Sequence, residues 1–234
     1  MYRRLKIFLR QEFNILTSLS FFDWFSFYLN SIKVRNKIRA RLEIDYTKDN
    51  GSPDSTAQEK YLNYKFWSKE SLLRAYKLDL HNSVNKKNIL DIGTGAGYFP
   101  FICKELGHEG LCLDVPGNDL YDQITDSLSL IKFKRFIKCF EPLSLKIDER
   151  FDLITAYMIC FNNHKQKDLW GCEQWKFFIS DLQSNYLEES GEIVLDFNEE
   201  APGFYFPDEL ISYFRKKNYK IKANTILIQN SYRG

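Results

Sequence analysis

The stretch NILDIGTGAGYFP, residues 88–100, joins an apolar run to a glycine-rich turn and then to the start of a helix pattern. Glycines in a strand-to-helix turn let the backbone approach a ligand closely, which is the basis of the dinucleotide fingerprint G-x-G-x-x-G. Gly93 and Gly95 fill the first two fingerprint positions, but Tyr98 occupies the third, and Gly97 precedes it. The stretch predicts a nucleotide-type site, with a tight turn that binds nothing as the alternative.

An acid at the edge of this turn bears on the choice of ligand. Asp91 lies just before the glycines, close to where a dinucleotide sets its pyrophosphate against a helix N-terminus. A carboxylate disfavours that anion, whereas S-adenosylmethionine has no phosphate and carries an ammonium group. Asp114, 21 residues after Gly93, is placed for the ribose hydroxyls of either cofactor. The residues favour S-adenosylmethionine and keep an NAD-dependent oxidoreductase and a non-catalytic binding module as alternatives.

Short apolar runs alternate with helix patterns from residue 88 onward, which is typical of an α/β fold with a parallel sheet. The predicted strands span residues 88–93, 110–115, 133–140, 151–159, 191–198, 219–223 and 225–229. We expect a mostly parallel, seven-stranded, Rossmann-like sheet with helices on both faces, closed by a hairpin around Asn224. Ligands of such sheets bind beyond the carboxyl ends of the strands. The candidate loops are 91–98, 114–118, 139–143, 156–170 and 197–204.

The first 85 residues have a helical pattern instead. Apolar residues recur at helical spacing in the stripe formed by Leu5, Phe8, Leu9, Phe13, Leu16, Phe21, Phe25, Leu29, Ile32, Ile38 and Leu42. The polar segment 45–57 is predicted to be a loop, and Ser68 is predicted to cap a helix that runs to Leu78. We therefore expect a helical N-terminal extension or lid at 1–85 and a cofactor-binding core at 86–234.

Charge and cysteine usage limit the function classes. The chain of 234 residues has a net charge of +2, so it is not built as a whole to hold nucleic acid. A basic run at 33–41 fits an anionic partner such as a phosphorylated substrate or a membrane surface, but the solvated face of a helix is the favoured interpretation. The five cysteines contain no C-x-x-C pair, which excludes the usual zinc and disulfide patterns. An odd count without a signal-peptide pattern predicts a cytoplasmic protein.

Four segments, in order, resemble the motifs of the class I S-adenosylmethionine-dependent methyltransferases. ILDIGTGAGYF is similar to the first motif, GLCLDV to the second, FDLITAYM to the fourth and LEESGEIVLDFN to the region of strand five. The resemblance covers roughly residues 86–230, and LWGCEQWKFFISDL looks like a poorly characterised bacterial branch of the family. It implies a Rossmann-like methyltransferase fold, transferase activity and S-adenosyl-L-methionine as the cofactor.

The resemblance also implies roles for single residues. Asp91 and the backbone of 93–97 would hold the methionine end, Asp114 would bind the ribose, and Val115 would pack on the adenine. Where the family often has an acid for the adenine amino group this chain has Cys139, so Phe140 packs on the ring or Glu141 substitutes. The implied cofactor-binding residues are Asp91, Gly93, Thr94, Gly95, Gly97, Tyr98, Asp114, Val115, Phe140 and Ala156.

The N-terminal aromatics acquire a role from the same resemblance. The family often places helices that precede the first strand over the cofactor, and Tyr61, Tyr64 and Trp67 lie in such a segment. Aromatic faces can favour a sulfonium. Ordinary helix packing is the alternative for each of the three.

The loop after the fourth strand is the candidate acceptor side. His164 is predicted as a general base for a hydroxyl acceptor, with a surface histidine as the alternative, and Asn162 and Trp170 are predicted to bind substrate. Asp196 and Glu199 lack an acidic partner after the fourth strand, so no metal is expected. The hypothesis is O-methylation of a small molecule or glycan, without nucleic acid, and with peripheral membrane contact through 33–41 not favoured.

Overall fold

A computed structural model of the chain describes residues 2–42 and 59–229, so the predicted loop at 45–57 lies outside the described residues. The chain divides into two compact units. The first, here called the helical unit, comprises Met1–Lys86, Gly95–His108 and Asp119–Leu130. The second, the sheet unit, comprises Lys87–Thr94, Glu109–Asn118 and Ile131–Gly234. The boundary at residue 86 remains a prediction from the sequence.

The described residues of the helical unit form five α-helices. They are α1 Tyr2–Ser18, α2 Phe21–Arg41, α3 Tyr64–Lys77, α4 Tyr98–Glu105 and α5 Asp119–Ser127, with short 3-10 helices at Glu59–Leu62 and Leu80–Asn82. Both N-terminal helices contact α3: Nε2 of Gln11 donates to Oε1 of Glu70 at 2.7 Å, and the Phe27 ring meets the Tyr76 ring edge-on at 5.3 Å. No helix of the described chain is long and apolar enough to cross a membrane.

The start of α3 differs from the prediction. Asn63 caps the helix, because its side-chain oxygen accepts from the backbone N–H of Phe66 at 3.2 Å. Ser68 lies one turn inside the helix, where its hydroxyl donates to the carbonyl of Lys65 at 3.4 Å. The predicted cap at Ser68 is therefore wrong, since Asn63 offers an equally good cap residue five positions earlier.

The sheet unit is built on one seven-stranded sheet in the order β3-β2-β1-β4-β5-β7-β6. The strands are β1 Asn88–Ile92, β2 Glu109–Asp114, β3 Ile131–Lys134, β4 Phe151–Ile159, β5 Leu187–Phe197, β6 Lys220–Lys222 and β7 Thr225–Gln229. The first five strands pair in parallel, and β7 runs antiparallel to both β5 and β6. The predicted α/β, Rossmann-like fold class is confirmed.

Two helices of the sheet unit carry its core. They are α6 Cys172–Asn185 and α7 Asp208–Lys216. On α6 the apolar residues recur at helical spacing, which gives the helix one buried face; they are Trp175, Phe178, Ile179 and Leu182. These side chains join Phe197 of β5 and Phe214 of α7 in a single apolar cluster. Burial of this cluster holds the carboxyl ends of β4 and β5 in place.

Two strands differ from their predicted bounds. The third strand is short and ends at Lys134, so most of the predicted run 133–140 is irregular. β5 begins at Leu187 rather than at residue 191, and its pairing with β4 shifts register between Phe151 and Leu153. The closing hairpin agrees with the prediction.

Candidate functional site

The strand order reverses at β1, whose two neighbours in the sheet are β2 and β4. In open α/β sheets such a reversal leaves a crevice beyond the carboxyl ends of the strands, and ligands bind there. Asp91 lies at this end of β1 and is almost fully buried, with 3% of its surface exposed. Its Oδ1 accepts a hydrogen bond of 2.6 Å from the hydroxyl of Thr155, its pairing partner on β4. The carboxylate is thereby held in a fixed position.

The first two residues of the glycine turn, Gly93 and Thr94, belong to the sheet unit and offer a polar group to a ligand. The backbone N–H groups of Gly93 and Thr94 donate to the carbonyl of Leu113, at 2.8 and 3.3 Å. The buried hydroxyl of Thr94 has no hydrogen-bond partner within the described chain. The Cys112 thiol is its polar neighbour, and a thiol is only a weak hydrogen-bond partner. Gly93 has a left-handed φ of +71° and open space where a side chain would start.

Asp114 occupies the carboxyl end of β2, as predicted. Its Oδ1 accepts from the N–H of Val115 at 2.9 Å, and its Oδ2 lies 3.9 Å from Nζ of Lys132. Val115, the next residue, is exposed. The structure thus sets an anchored carboxylate and an exposed apolar side chain side by side, which is a pair that suits a ribose and a base.

The remaining predicted cofactor residues of the sheet unit differ in their exposure. Phe140 has a left-handed φ of +59°, and its exposed ring contacts only the edge of Phe177 among the ring pairs of the described chain, at 5.9 Å. Ala156 is fully buried within β4, where it pairs with Ile92 and Leu195. Phe140 is therefore open to a planar ligand, whereas the Ala156 methyl group is enclosed by the sheet.

Two tyrosines cover Gly95 in the helical-unit half of the turn. This glycine has φ +57°, and a Cβ there would lie 3.8 Å from the Tyr61 ring and 4.0 Å from the Tyr121 ring. Tyr61 stacks on Trp67 at 4.6 Å and meets Tyr121 edge-on at 5.3 Å. The segment before the first strand thus contributes aromatic rings beside Gly95.

The same half of the turn starts α4. Gly97 occupies its N-cap position with φ +73°, and the hydroxyl of Tyr98 donates to the carbonyl of Tyr61 at 2.8 Å. Tyr98 and Tyr64 are both buried. Tyr98 therefore fixes the backbone of the segment that carries Tyr61, which a third glycine at this position would not do.

The loops after β4 and β5 bring together a histidine and a glutamate. Nδ1 of His164 lies 2.8 Å from Oε1 of Glu200, and Oε2 of the same carboxylate accepts from the backbone N–H of Lys165 at 2.7 Å. Glu200 was not predicted as a site residue. The sequence did place Glu200 in the candidate loop 197–204. The loops that follow two neighbouring parallel strands emerge at the same edge of the sheet, so a contact with the loop after β4 could have been expected.

The two predicted substrate residues, Asn162 and Trp170, are both buried in the β4 loop. Oδ1 of the Asn162 side chain has no hydrogen-bond partner within the described residues. The backbone carbonyl of Asn162 accepts from the N–H of Trp170 at 3.0 Å. The Trp170 ring packs against Phe161 at 5.6 Å and Trp175 at 5.3 Å. Asn162 thus offers an unsatisfied acceptor, whereas the Trp170 ring belongs to the core that shapes the loop.

The path of this loop is set by unusual backbone conformations. Met158 has φ +55° inside β4, where the pairing with β5 shifts register between Tyr157 and Ile159. Asn163 and Lys165 also adopt left-handed φ values, of 61° and 58°. Bulges and left-handed non-glycine residues carry a cost and cluster near active sites, where they re-aim side chains. Their concentration here supports a functional role for the loop.

The two acids considered for a metal are engaged elsewhere. Asp196 accepts from the Asn224 amide at 3.2 Å and the Thr225 hydroxyl at 3.0 Å, and Glu199 accepts from the N–H of Gly203 at 2.7 Å. Across residues 2–42 and 59–229, no group of three or more His, Cys, Asp or Glu side chains is arranged to hold a metal ion.

Comparison with known proteins gives similarity only at the level of the backbone. No protein-family model and no curated protein sequence matches the chain. Among solved structures, a ribosomal protein L11 methylase from Lactobacillus delbrueckii subsp. bulgaricus is 16% identical, over 69% of this chain and 78% of that one, with a TM-score of 0.43. The glycopeptide N-methyltransferase MtfA complexed with S-adenosyl-L-methionine is 11% identical, over 67% and 91%, with a TM-score of 0.44.

A third similar structure is a precorrin-6y C5,15-methyltransferase from Geobacter metallireducens GS-15. It is 16% identical, over 64% of this chain and 72% of that one, with a TM-score of 0.41. All three similar proteins are methyltransferases by name. At such identities and TM-scores nothing about residues or substrates transfers, so the site rests on the geometry of this chain.

Proposed function

We propose that the protein is an S-adenosylmethionine-dependent methyltransferase that methylates a hydroxyl oxygen of a small molecule or glycan. The observation that carries this proposal is the buried carboxylate of Asp91 at the carboxyl end of β1, beside the glycine turn. A negative charge there opposes a pyrophosphate and suits a cationic amino acid moiety. It therefore favours S-adenosylmethionine over a dinucleotide.

The residues present fit this cofactor. Asp91 is held by Thr155 and would accept from the ammonium group, while the unsatisfied hydroxyl of Thr94 is available to a polar group of the methionine moiety. Asp114 would bind the ribose hydroxyls, with Val115 against the base. When bound, the cofactor supplies an electrophilic methyl group on a sulfonium. The full proposed set is Asp91, Gly93, Thr94, Gly95, Gly97, Tyr98, Asp114, Val115, Phe140 and Ala156.

His164 is proposed as the general base. An ionised carboxylate can only accept hydrogen bonds, so the contact with Glu200 places the imidazole hydrogen on Nδ1 and leaves the Nε2 lone pair available. Nε2 would take the proton of the acceptor hydroxyl as its oxygen becomes the nucleophile. Glu200 would then stabilise the imidazolium that forms, as a carboxylate does beside a catalytic histidine.

Asn162 is proposed to bind the acceptor. Its unpaired Oδ1 is buried, and leaving such an acceptor without a donor costs about 1–3 kcal/mol. A hydroxyl or N–H donor of the substrate would satisfy this oxygen. Trp170 would act on the substrate through the shape of the loop, because its ring is enclosed by other aromatic rings.

Ligand-induced stabilisation tests the cofactor. A ligand that binds only the folded state stabilises it by about 2.7 kcal/mol when present at 100 times its Kd. We expect S-adenosylhomocysteine to raise the melting temperature and NAD to leave it unchanged. Asp114→Ala should abolish the shift, while Asp148→Ala, which removes an exposed acid from the loop after β3, should keep it. A shift with NAD alone would favour the oxidoreductase, and no shift with either would favour a binding module.

Transfer of a labelled methyl group tests the reaction. The enzyme is given S-adenosylmethionine labelled in the methyl group together with a fractionated cell extract, and labelled products are identified by mass spectrometry. We expect one small-molecule or glycan ether. His164→Ala should remove this product without changing the melting shift from S-adenosylhomocysteine, and a fully active His164→Ala would exclude it as the base.

A further inference from the structure

The helical unit has an unusual surface at its N-terminus. Eight of the fourteen exposed large apolar side chains in the described chain lie between residues 9 and 32: Leu9, Phe13, Leu16, Phe21, Phe22, Phe25, Leu29 and Ile32. Phe21 and Phe22 are 79% and 83% exposed. So many exposed apolar residues in one segment indicate an interaction surface rather than the scattered exposure that is normal. We call these eight residues the apolar face.

On α2 the apolar face lies opposite the side that packs in the protein. Phe21, Phe25, Leu29 and Ile32 project within about 80° of one another, since successive residues of an α-helix are about 100° apart. The buried residues of the helix point the other way; they are Phe27, Val34 and Ile38. Tyr76 of α3 contacts Ser26, Phe27 and Asn30. The apolar face of α2 is therefore turned away from α3.

On α1 the arrangement is the same. Leu9, Phe13 and Leu16 follow the i, i+4, i+7 spacing of one helix side and are exposed, while Gln11 and Ile15 are buried on the other side. Gln11 is bonded to Glu70 and to the carbonyl of Phe66, both on α3. The hydroxyl of Tyr28 on α2 donates to Glu12 on α1, so the two helices adjoin, and each turns its exposed apolar side away from α3.

The charge of this region is strongly positive. Residues 1–42 contain nine Lys and Arg against two acids, a formal charge of +7, although the whole chain has only +2. Both acids are turned inward: Glu12 pairs with Lys69 and Tyr28, and Asp23 pairs with His81 at 3.0 Å. The Lys69 and Tyr28 contacts keep the pKa of Glu12 lowered against the opposing effect of its burial.

The cations of α2 follow directly after its apolar residues. Lys37 pairs with Glu105, and Arg41 donates to the carbonyl of Leu128 at 3.0 Å and lies over the Phe101 ring. Within the described residues Lys33, Arg35 and Arg39 have no ion pair. Viewed down the helix axis, Lys33 and Arg39 project on either side of the mean direction of the apolar face. One side of α2 is therefore apolar over its first three turns and cationic after them.

We propose that the apolar face and these cations bind the surface of a bilayer that contains anionic lipids, with α1 and α2 lying in the plane of the interface. An exposed apolar helix side that is followed by Lys and Arg has the two components of an interfacial amphipathic helix. Basic residues near an anionic leaflet add attraction to the phosphate groups. The phenylalanines enter the acyl boundary, and Lys33 and Arg39 remain at the headgroups.

The charge of the region favours a bilayer over a second copy of the chain as the partner of the apolar face. Two copies that met through this face would bring together two regions of +7 each, with both acids already paired internally. A bilayer surface supplies acyl chains and negative phosphates at the same place, which matches the sequence of apolar and cationic turns on α2. The anionic bilayer is therefore the better partner.

Flotation with vesicles tests the proposal on the intact protein, independently of methyl transfer. We expect the protein to float with vesicles of phosphatidylcholine and phosphatidylglycerol, and to bind pure phosphatidylcholine more weakly by a factor of roughly ten or more. F22S/F25S should reduce binding to the anionic vesicles by roughly ten-fold or more. The matched control V84S/F136S removes two exposed apolar residues elsewhere and should bind like the unchanged protein.

Two charge-reversal variants and a measurement of the oligomeric state complete the test. K33E/R39E should lose binding to anionic vesicles to a similar degree, whereas K216E/K217E should retain it. Light scattering of the unchanged protein and of F22S/F25S reports self-association, and circular dichroism confirms that the variants are folded. Equal binding by F22S/F25S, or no vesicle binding together with a dimer that this variant converts to monomers, would overturn the proposal.

Discussion

Nδ1 of His164 lies 2.8 Å from Oε1 of Glu200, although 36 residues separate the two in the chain. The same carboxylate accepts a second hydrogen bond, of 2.7 Å, from the N–H of Lys165. Glu200 thus fixes both the ring and the loop that carries it. The pair has the form of a base held by an orienting acid, in which the acid sets the tautomer.

Glu200→Gln should therefore impair turnover while the cofactor still binds. A glutamine has one accepting oxygen, so it can serve the N–H of Lys165 or Nδ1–H of His164 but not both. If the amide nitrogen faces Nδ1, the ring hydrogen moves to Nε2 and the base is lost. We expect kcat to fall roughly 100-fold or more, which is the contribution of a general base, with an unchanged melting shift from S-adenosylhomocysteine.

The neighbouring acid provides the control for that measurement. Among the described residues, Glu199 accepts one hydrogen bond, from the N–H of Gly203, and a glutamine can accept the same bond. Glu199→Gln should keep both kcat and the melting shift close to their original values. If Glu200→Gln behaves like Glu199→Gln, the pair is structural and His164 needs another role.

Thiol modification should separate the five cysteines by their surroundings. Cys139 and Cys160 are exposed, whereas Cys103 and Cys112 are buried. Burial, with the nearby Asp91 carboxylate, raises the pKa of Cys112 to about 12, so its thiolate fraction at pH 8 is on the order of one in ten thousand. Burial also raises the pKa of Cys172. A raised pKa lowers the thiolate fraction at any pH below it. Cys112 and Cys172 should therefore react more slowly than a cysteine with the ordinary pKa.

Mass spectrometry of the native protein treated with iodoacetamide at pH 8 measures this order. We expect Cys139 and Cys160 to be modified first, Cys172 later, and Cys103 and Cys112 only after unfolding. S-adenosylhomocysteine should slow the reaction of Cys139, which adjoins Phe140, and leave Cys160 unaffected. Equal protection of Cys139 and Cys160 would contradict the placement of the cofactor's adenine at Phe140.

The motifs that depend on local sequence were predictable. The glycine turn, the acid at its edge and the apolar run of β4 each need only a few adjacent residues, and the predicted bounds of β4 agree with the structure. β3 was misplaced because it is a short edge strand whose position depends on pairing with β2, from Leu111 with Ile131 to Asp114 with Lys134. The apolar residues at 133–140 gave no local sign of that register.

Two further features depend on contacts that only the fold creates. Glu200 reaches His164 because the loops after β4 and β5 emerge at one edge of the sheet. The sequence next to either residue does not indicate this contact. On α2, periodicity identified an apolar stripe that includes Phe25, Leu29 and Ile38. Ile38 is buried, but Phe25 and Leu29 are exposed, and the buried side is completed by Phe27 and Val34. Spacing defines a stripe but cannot say which stripe another helix covers.

Gly191 should be intolerant of any side chain. It is buried in β5 where the strand departs from its register with β4, and a Cβ there would lie 2.9 Å from the carbonyl oxygen of Phe151 and 2.8 Å from Cδ1 of Leu187. A backbone oxygen cannot move away cheaply, so Gly191→Ala should lower the free energy of unfolding by about 1–3 kcal/mol. Urea denaturation measures the loss. Gly171→Ala makes no such clash, since its Cβ would meet its nearest neighbour at 3.5 Å; it should lose only the preference for glycine over alanine at the N-cap of α6, about 0.5–1 kcal/mol.

The hairpin between β6 and β7 contains a residue that glycine should improve. Ala223 has a left-handed φ of +53° in the turn between Lys222 and Thr225. The Cβ of an L-residue costs about 1–2 kcal/mol in this conformation, whereas glycine adopts it freely at an entropic cost of about 0.4–1 kcal/mol in the unfolded chain. Ala223→Gly should therefore raise the free energy of unfolding by several tenths of a kcal/mol to about 1 kcal/mol. The same substitution at exposed Ala40, in the last turn of α2, should lower it by at most about 1 kcal/mol, and a loss of stability at both positions would show that the left-handed turn does not persist in solution.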